Sequence, residues 1–425
     1  MALSKPDFLE SRLTLPVAVF GAGLSGEAAA SLVAKLGGTS VTYDQAGREF
    51  TGEAARAHRF VIFSPGFSLH HPWLEVARKS GCICMAEIDF ASLFWKGRIA
   101  AVTGTNGKTT VTEFLAHALA SVGRRAFAVG NIGIPFSRTV ADEDGGRESD
   151  TAVCEVSSFQ SEQLGHFAAD SLIWTNFAED HLERHASLEA YFSAKWELVL
   201  RTPAGKFLAG SSVGTHAERL GRQMPAGSMV ATEGQPGDSR LEGTAFESYP
   251  QRENIILARA WWLSEGLGER EFLAAAASFL PGRHRLARIG AIDGVTYWND
   301  SKGTNFHAVE AALAGFPKPV VLIAGGRSKG GDLGAFVRRI APRVAHIVLI
   351  GETGPALAGA CGLLGVPHTL SPGLAEAVHA ASCASRPGDN VLLSPGFASF
   401  DMFRNYEDRG NQFERAVGEL HAARV

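Results

Sequence analysis

Twice within its first 110 residues the chain passes from a short apolar, β-type stretch into a glycine-rich loop and then into a helical stretch. The first passage joins Val17–Phe20 to a helix over 25–36 through Gly21-Ala22-Gly23-Leu24-Ser25-Gly26, with the next strand ending at Asp44. The second joins a strand over 99–102 to a helix over Lys108–Ser121 through Thr103-Gly104-Thr105-Asn106-Gly107. A third round of alternation follows Pro281-Gly282-Arg283, with strands at 320–324, 346–350 and Asn390–Leu393. Apolar runs alternating with amphipathic helices specify parallel-sheet α/β domains. Three rounds predict three of them, over 1–95, 96–281 and 282–425. The stretch 210–243, rich in Gly, Ser and Pro, reads as loops and short strands. Glycine supplies 48 of 425 residues, about 11% against roughly 7% in average proteins. Much of the excess falls where the backbone turns tightly or approaches a ligand.

The second loop carries the most chemistry. Gly104 and Gly107 let successive backbone N–H groups curl around phosphate oxygens at a helix N-terminus. Lys108 neutralises phosphate charge, and the Thr109 hydroxyl is placed for Mg²⁺, with Thr105, Asn106 and Thr110 completing the cradle. Val102 stands where the usual phosphate-loop pattern has its first glycine, so this is a variant of that loop. The first loop matches G-x-G-x-x-G, with Asp44 at the spacing where an acid meets a ribose hydroxyl. That pattern alone fits a dinucleotide, a UDP-linked compound or a structural turn.

Glu155, at the end of an apolar run, is either the acid that a metal–nucleotide site beside a phosphate loop needs or a solvated strand-end glutamate. His181 and His185 are four residues apart without the glutamate of a zinc protease, so His181 is either a ligand or structural. Lys195 shares a helical face with Tyr191 and Leu198 over 187–201 and by itself reads as a lysine reaching to solvent. Three further polar clusters lie at or just past strand ends: Asn299-Asp300-Ser301-Lys302-Gly303-Thr304, Gly325-Gly326-Arg327-Ser328-Lys329, and Ser394-Pro395-Gly396-Phe397-Ala398-Ser399 leading to Tyr406. Open parallel sheets bind ligands there, and lysines with hydroxyls suit anions.

A formal charge of −4 argues against nucleic acid or an anionic membrane as principal partner. No apolar run approaches the roughly 20 residues of a membrane helix, and the N-terminal stretch has no signal-peptide core. Five scattered cysteines lack a second pair for a zinc site and read as buried thiols of a cytoplasmic protein.

In order, Thr103–Thr110, Glu155-Val156-Ser157-Ser158-Phe159-Gln160, Asn299–Asn305 and the 394–410 segment resemble the Mur ligases of peptidoglycan synthesis, most closely the branch that adds D-glutamate. The resemblance covers nearly the whole chain. It implies an N-terminal Rossmann-like UDP-binding domain, a central P-loop ATPase domain and a C-terminal Rossmann-like domain. It also implies ATP and two Mg²⁺ ions as cofactors, a monomer, and small-molecule substrates only: UDP-N-acetylmuramoyl-L-alanine, D-glutamate and ATP. By motif, Gly21, Gly23, Leu24, Ser25, Gly26, Asp44, Gly66, Asn131 and His181 meet the UDP-sugar. Gly104–Thr110, Asn254, Arg285 and Asp300 meet ATP, while Lys302 flanks the reacting groups. Thr304, Lys329, Ser399 and Tyr406 hold D-glutamate. Thr109 and Glu155 serve one metal, and His181 with a carbamylated Lys195 a second.

The chain departs from the family at three places. The adenine segment reads Gln251-Arg252-Glu253-Asn254 instead of Gly-x-His-Asn, Gln45-Ala46 follows Asp44 instead of Thr-Arg, and Tyr406 replaces phenylalanine. Arg48 is the nearby base that could replace the missing arginine. A folylpolyglutamate-type ligase, a non-catalytic nucleotide-binding protein and an NAD-dependent oxidoreductase remain as alternatives, the last leaving the phosphate loop unexplained.

Overall fold

A computed structural model describes residues 3–231, 238–247 and 249–424. Two compact units emerge from it. One comprises Met1–Phe177, Glu189–Pro236 and Asn254–Phe279; the other comprises Ala178–Leu188, Gly237–Glu253 and Leu280–Val425.

The first unit holds two parallel sheets. Strands β1 (Val17–Phe20), β2 (Ser40–Tyr43), β3 (Phe60–Phe63) and β4 (Ile83–Ala86) lie in the order β2-β1-β3-β4. Strands β5 (Arg98–Thr103), β6 (Ala126–Gly130), β7 (Thr151–Glu155), β8 (Ser171–Trp174), β9 (Phe207–Gly210) and β10 (Met229–Ala231) lie in the order β10-β9-β8-β5-β7-β6. β1, β3 and β8 are buried at every residue. Covering both faces of a parallel sheet requires such continuous apolar runs, which is why β1 is legible in the sequence.

The helix after the first glycine loop spans Leu24–Lys35, and the second spans Lys108–Ser121. Gly26 has a steric reason: a Cβ there would sit 1.8 Å from the Gly21 carbonyl oxygen. The two sheets are tied together through the segment Glu87–Ser92. Glu87 accepts a hydrogen bond from the Ser137 amide, and Asp89 accepts three, from the amides of Gly165, His166 and Phe167.

The second unit is built on a mixed sheet. Its strands are β11 (Ala287–Ile292), β12 (Val295–Asn299), β13 (Val320–Gly325), β14 (Val344–Ile350), β15 (His368–Leu370) and β16 (Asn390–Leu393). They lie in the order β11-β12-β16-β13-β14-β15, with only β11–β12 antiparallel. Separate apolar clusters cover its two faces, one around Leu322, Phe336 and Leu349, the other around Ile323, Val348 and Phe413.

Two local expectations fail. Within 210–243, Ser211–Arg219 is a helix, because Val213 and Ala217 fall on one face and are buried; residues 232–237 lie outside the described residues. The cysteines are free, but Cys383 is exposed and Cys84 half-buried, so burial does not describe all five. Among the described residues no helix is long and apolar enough to cross a membrane.

Candidate active site

Strand register brings the central residues together. Val102 pairs with Glu155 across β5–β7, so the acid ends its strand beside the point where β5 turns into the phosphate loop. Gly104 and Gly107 adopt φ of +149° and +80°, values that side chains disfavour. Gly107 is the N-cap of the Lys108–Ser121 helix, and the Asn254 side chain occupies the space a Cβ there would take, 2.2 Å from its ideal position. Asn254 therefore abuts the loop even though its preceding residues depart from the family pattern.

The loop is braced from β8. Asn176 accepts from the Thr105 amide through its backbone at 3.0 Å and from the Asn106 amide through its side chain at 2.9 Å, and Tyr191 lies 3.3 Å from the Thr105 hydroxyl. Lys108 Nζ donates back to the Gly104 and Thr105 carbonyls at 3.0 and 2.8 Å. Thr109 and Thr110 are buried at the helix start.

Lys195 is not the solvent-reaching lysine its helix pattern suggests. It is 1% exposed, and its Nζ donates to the Gly104 carbonyl at 2.9 Å and to the Thr103 hydroxyl at 3.3 Å. The apolar core around Leu198 draws the face inward, and the loop carbonyl satisfies the buried ammonium.

Glu155 is 2% exposed. Its Oε1 accepts from Asn131 Nδ2 at 2.9 Å, while Oε2 is buried without a partner among the described residues. An unsatisfied buried carboxylate oxygen beside a phosphate loop suits a hard divalent cation, for which oxygen is the preferred donor. Among the described residues no group of three His, Cys, Asp or Glu side chains is assembled for a metal, so phosphate oxygens and Thr109 would have to complete that coordination.

In the first sheet, Gly21 has φ +99° and packs against Ser64, the start of the Ser64-Pro65-Gly66 loop in which Gly66 is exposed. Gly23 caps the following helix, Ser25 is half-buried and Leu24 is 68% exposed. Asp44 accepts from the Ala22 and Ala46 amides, both at 3.0 Å, and these bonds lower its pKa. Its carboxylate thus shapes the glycine loop directly. Gln45 bonds to His71 at 3.2 Å, and Arg48 stacks on Tyr43.

The second unit gathers the remaining residues. Asp300 accepts from the Ser394 hydroxyl at 2.7 Å and from the Leu286 amide at 3.2 Å, and desolvation pushes its pKa up to about 7, opposed in part by the nearby Arg285 charge. Lys302 Nζ lies 3.8 Å from the Tyr406 ring centroid. Lys329 Nζ donates to the Thr304 hydroxyl and to Asp180 Oδ1, both at 3.3 Å, and Asn305 donates to Asp180 Oδ2 at 2.9 Å. A small pocket between these groups is lined by Asp180, Thr304, Lys329 and Phe397. Ser399 is buried nearby in sequence, where its carbonyl accepts from Met402 and Phe403. His181, at φ +55°, bonds to Glu183 at 3.2 Å. It belongs to the second unit and Lys195 to the first.

Sequence reasoning passed over Asp180, Asn176 and Arg409. Arg409 is fully buried and binds the Ser301 hydroxyl, the Ser301 carbonyl and the Phe397 carbonyl, fixing two of the polar loops to each other. A buried arginine in the Tyr406-Glu407-Asp408-Arg409 run was the available signal. Asp180 and Asn176 lie in short polar loops with no local signature.

Comparison with known proteins identifies two family domains in the chain. The Mur ligase middle domain matches residues 102–224, and the Mur ligase glutamate ligase domain matches residues 284–397. A UDP-N-acetylmuramoylalanine–D-glutamate ligase of Gloeobacter violaceus is 34% identical over 95% of this chain and 99% of its own length. One from Frankia casuarinae is 36% identical over 95% of this chain and 94% of its own. Among solved structures, the UDP-N-acetylmuramate–alanine ligase MurC of Thermotoga maritima superposes with a TM-score of 0.61 at 17% identity, covering 95% of this chain and 99% of that one. The MurF ligase of Thermotoga maritima, solved with ADP, gives 0.56 at 16% identity over 87% and 97%. At such identities these structures speak for the fold, while the sequence relatives, aligned almost end to end, settle the lineage: the chain belongs to the Mur ligase family.

Proposed function

We propose that this protein is an ATP-dependent, ADP-forming ligase that joins D-glutamate to UDP-N-acetylmuramoyl-L-alanine in peptidoglycan precursor synthesis, acting in the cytoplasm as a monomer. Residues 1–95 take the UDP-sugar, 96–281 take ATP and 282–425 take D-glutamate. The observation that carries the reading is Glu155, a buried strand-end carboxylate with one free oxygen, held in register with the start of a phosphate loop.

The alanine carboxylate takes the γ-phosphoryl group of ATP and ADP leaves; the D-glutamate amine then attacks the acyl carbon and gives up a proton, and the tetrahedral intermediate expels phosphate to leave the amide. Both partners are anions, so the protein's task is to gather positive charge and donors along the path of the moving charge. The loop amides and Lys108 orient the triphosphate, and Lys108 is held by the Gly104 and Thr105 carbonyls until phosphate oxygens replace them. Thr109 and Glu155 are the proposed ligands of a first Mg²⁺, which supplies charge neutralisation at the phosphates when bound. His181 and Lys195 in carbamylated form are the proposed ligands of a second. An unmodified lysine ammonium cannot ligate a cation. Asn254 is the proposed contact of the adenine end, and Asn131, Gly66 and the Gly21–Gly26 loop are the proposed contacts of the UDP-sugar. Thr304, Lys329, Ser399 and Tyr406 receive the D-glutamate carboxylates, with Asp180 orienting Lys329 and Lys302 held against Tyr406.

The decisive experiment is ADP release measured across a panel of amino acids with the UDP-sugar acceptor. ADP formation that requires both UDP-N-acetylmuramoyl-L-alanine and D-glutamate is expected. Turnover with a folate, with L-glutamate in preference, or reduction of NAD defeats the assignment.

A further inference from the structure

The phosphate loop occupies the carboxyl ends of the central sheet. At the opposite ends of β5, β7 and β8 lies a second cavity of about 510 Å³, which the ligase chemistry leaves unused. Its walls include Arg98, Arg124, Arg125 and Arg147, contributed by three separate stretches of chain. Arg98 is paired with Glu265, and Arg125 with Glu143 and with Asp150 at 3.2 Å. Asp170 is committed to the Ile99 amide at 2.7 Å. The exposed guanidinium groups of Arg124 and Arg147 have no side-chain partner among the described residues, and Glu148 is the unpaired acid on the rim. Two free cations therefore face one free anion in a cavity whose volume falls in the ordinary range for small-molecule sites.

From this we propose that the cavity is a second anion site, for a small phosphate-bearing molecule, and that it is coupled to the nucleotide site. Each guanidinium fork can pair bidentately with an anion, and a phosphate, whose oxygens do not lie in one plane, can engage two forks arriving from different segments at once, while Ser149 and Thr151 add hydroxyl donors to the lining. The coupling follows from continuity. The helix that begins at Lys108 ends at Ser121, three residues before Arg124. The helix Gln251–Ser264 carries Asn254 against Gly107 near its start, and it carries Trp261 in the cavity wall near its end. β5 runs from Arg98 in the wall to Thr103 at the loop. Three rigid elements thus touch both sites, so a ligand that shifts one end biases the other. The coupling, though not the binding, rests on the reading of the loop as an ATP site.

The test titrates inorganic pyrophosphate, with citrate as the carboxylate control, into the full chain and into an Arg124→Ser/Arg147→Ser variant, followed by calorimetry. A class of pyrophosphate sites that the double variant loses, or binds at least about tenfold more weakly, is expected, with no matching class for citrate. In the ADP-release assay at constant free Mg²⁺, pyrophosphate shifts the apparent KM for ATP by about fivefold or more in the unmodified chain relative to the variant. Both side chains are exposed, so the variant keeps its Tm and its basal activity. Identical pyrophosphate binding by the two chains, or equal citrate binding, overturns the site. Differential binding with an unchanged KM shift overturns the coupling alone. Differential binding in a chain that releases no ADP counts against the ligase reading and not against the site.

Discussion

The Lys195 ammonium lies 2.9 Å from the Gly104 carbonyl oxygen, buried under the loop that is to hold the triphosphate. A charge in that position costs several kcal/mol unless it is paired; the Gly104 carbonyl and the Thr103 hydroxyl accept from it, and it lies 5.1 Å from the Tyr191 ring centroid. Conversion to a carbamate would exchange this cation for an oxygen donor. Depleting carbon dioxide is therefore expected to lower kcat reversibly, and Lys195→Ala to be partly rescued by short carboxylic acids. Activity indifferent to both treatments would make Lys195 a brace for the loop and nothing more.

Lys108→Ala is expected to abolish acyl phosphate formation, by roughly 10²–10³-fold or more, as loss of a preorganised charge at a phosphoryl group does. Trapping of the acyl phosphate with hydroxylamine measures this step directly. The Tm is expected to change little, since Lys108 is half-buried and the Gly104 and Thr105 carbonyls that accept from it belong to the loop.

Glu155→Gln and Asn131→Ala dissect the carboxylate. The first removes the charge, while the second frees Oε1 and leaves the acid in place. Both are expected to raise the Mg²⁺ concentration needed for half-maximal ADP release, Asn131→Ala by about 10- to 100-fold in the manner of outer-shell partners and Glu155→Gln by more. Equal Mg²⁺ dependence in the variants and the parent chain would place the metal elsewhere.

Glu87 gives a pH dependence of stability. It is 1% exposed, and burial pushes its pKa up to about 7 against an ordinary 4.5. A carboxyl with a raised folded-state pKa holds its proton more tightly when folded. Its contribution is complete below about pH 4.5 and is lost as pH rises through about 7. The difference in urea-unfolding free energy between Glu87→Gln and the parent chain should therefore shift in favour of the glutamine from pH 5 to pH 8, by about 3 kcal/mol at most. A difference that stays flat over that range would show that the Ser137 amide keeps Glu87 ionised.

The strands, the glycine loops and the phosphate loop were legible because each is set locally. Buried parallel strands demand unbroken apolar runs, and Gly104 and Gly107 sit at backbone angles that disfavour other residues. Helix 211–219 was obscured by its serines and glycine, which are weak helix formers kept helical by the burial of Val213 and Ala217.

The sequence by itself determined the α/β class, the strand–glycine-loop–helix form of two segments and the residues offered to the proposed ligands. Tertiary structure alone decided how those residues are held. Asn131 meets Glu155, Asn176 braces Asn106, Asp180 orients Lys329, and Lys195 turns inward to Gly104. These partners lie 24, 70, 149 and 91 residues apart. A hydrogen bond across such a span leaves no periodicity or local motif in the chain, because strand order and register, not sequence proximity, bring its two ends together.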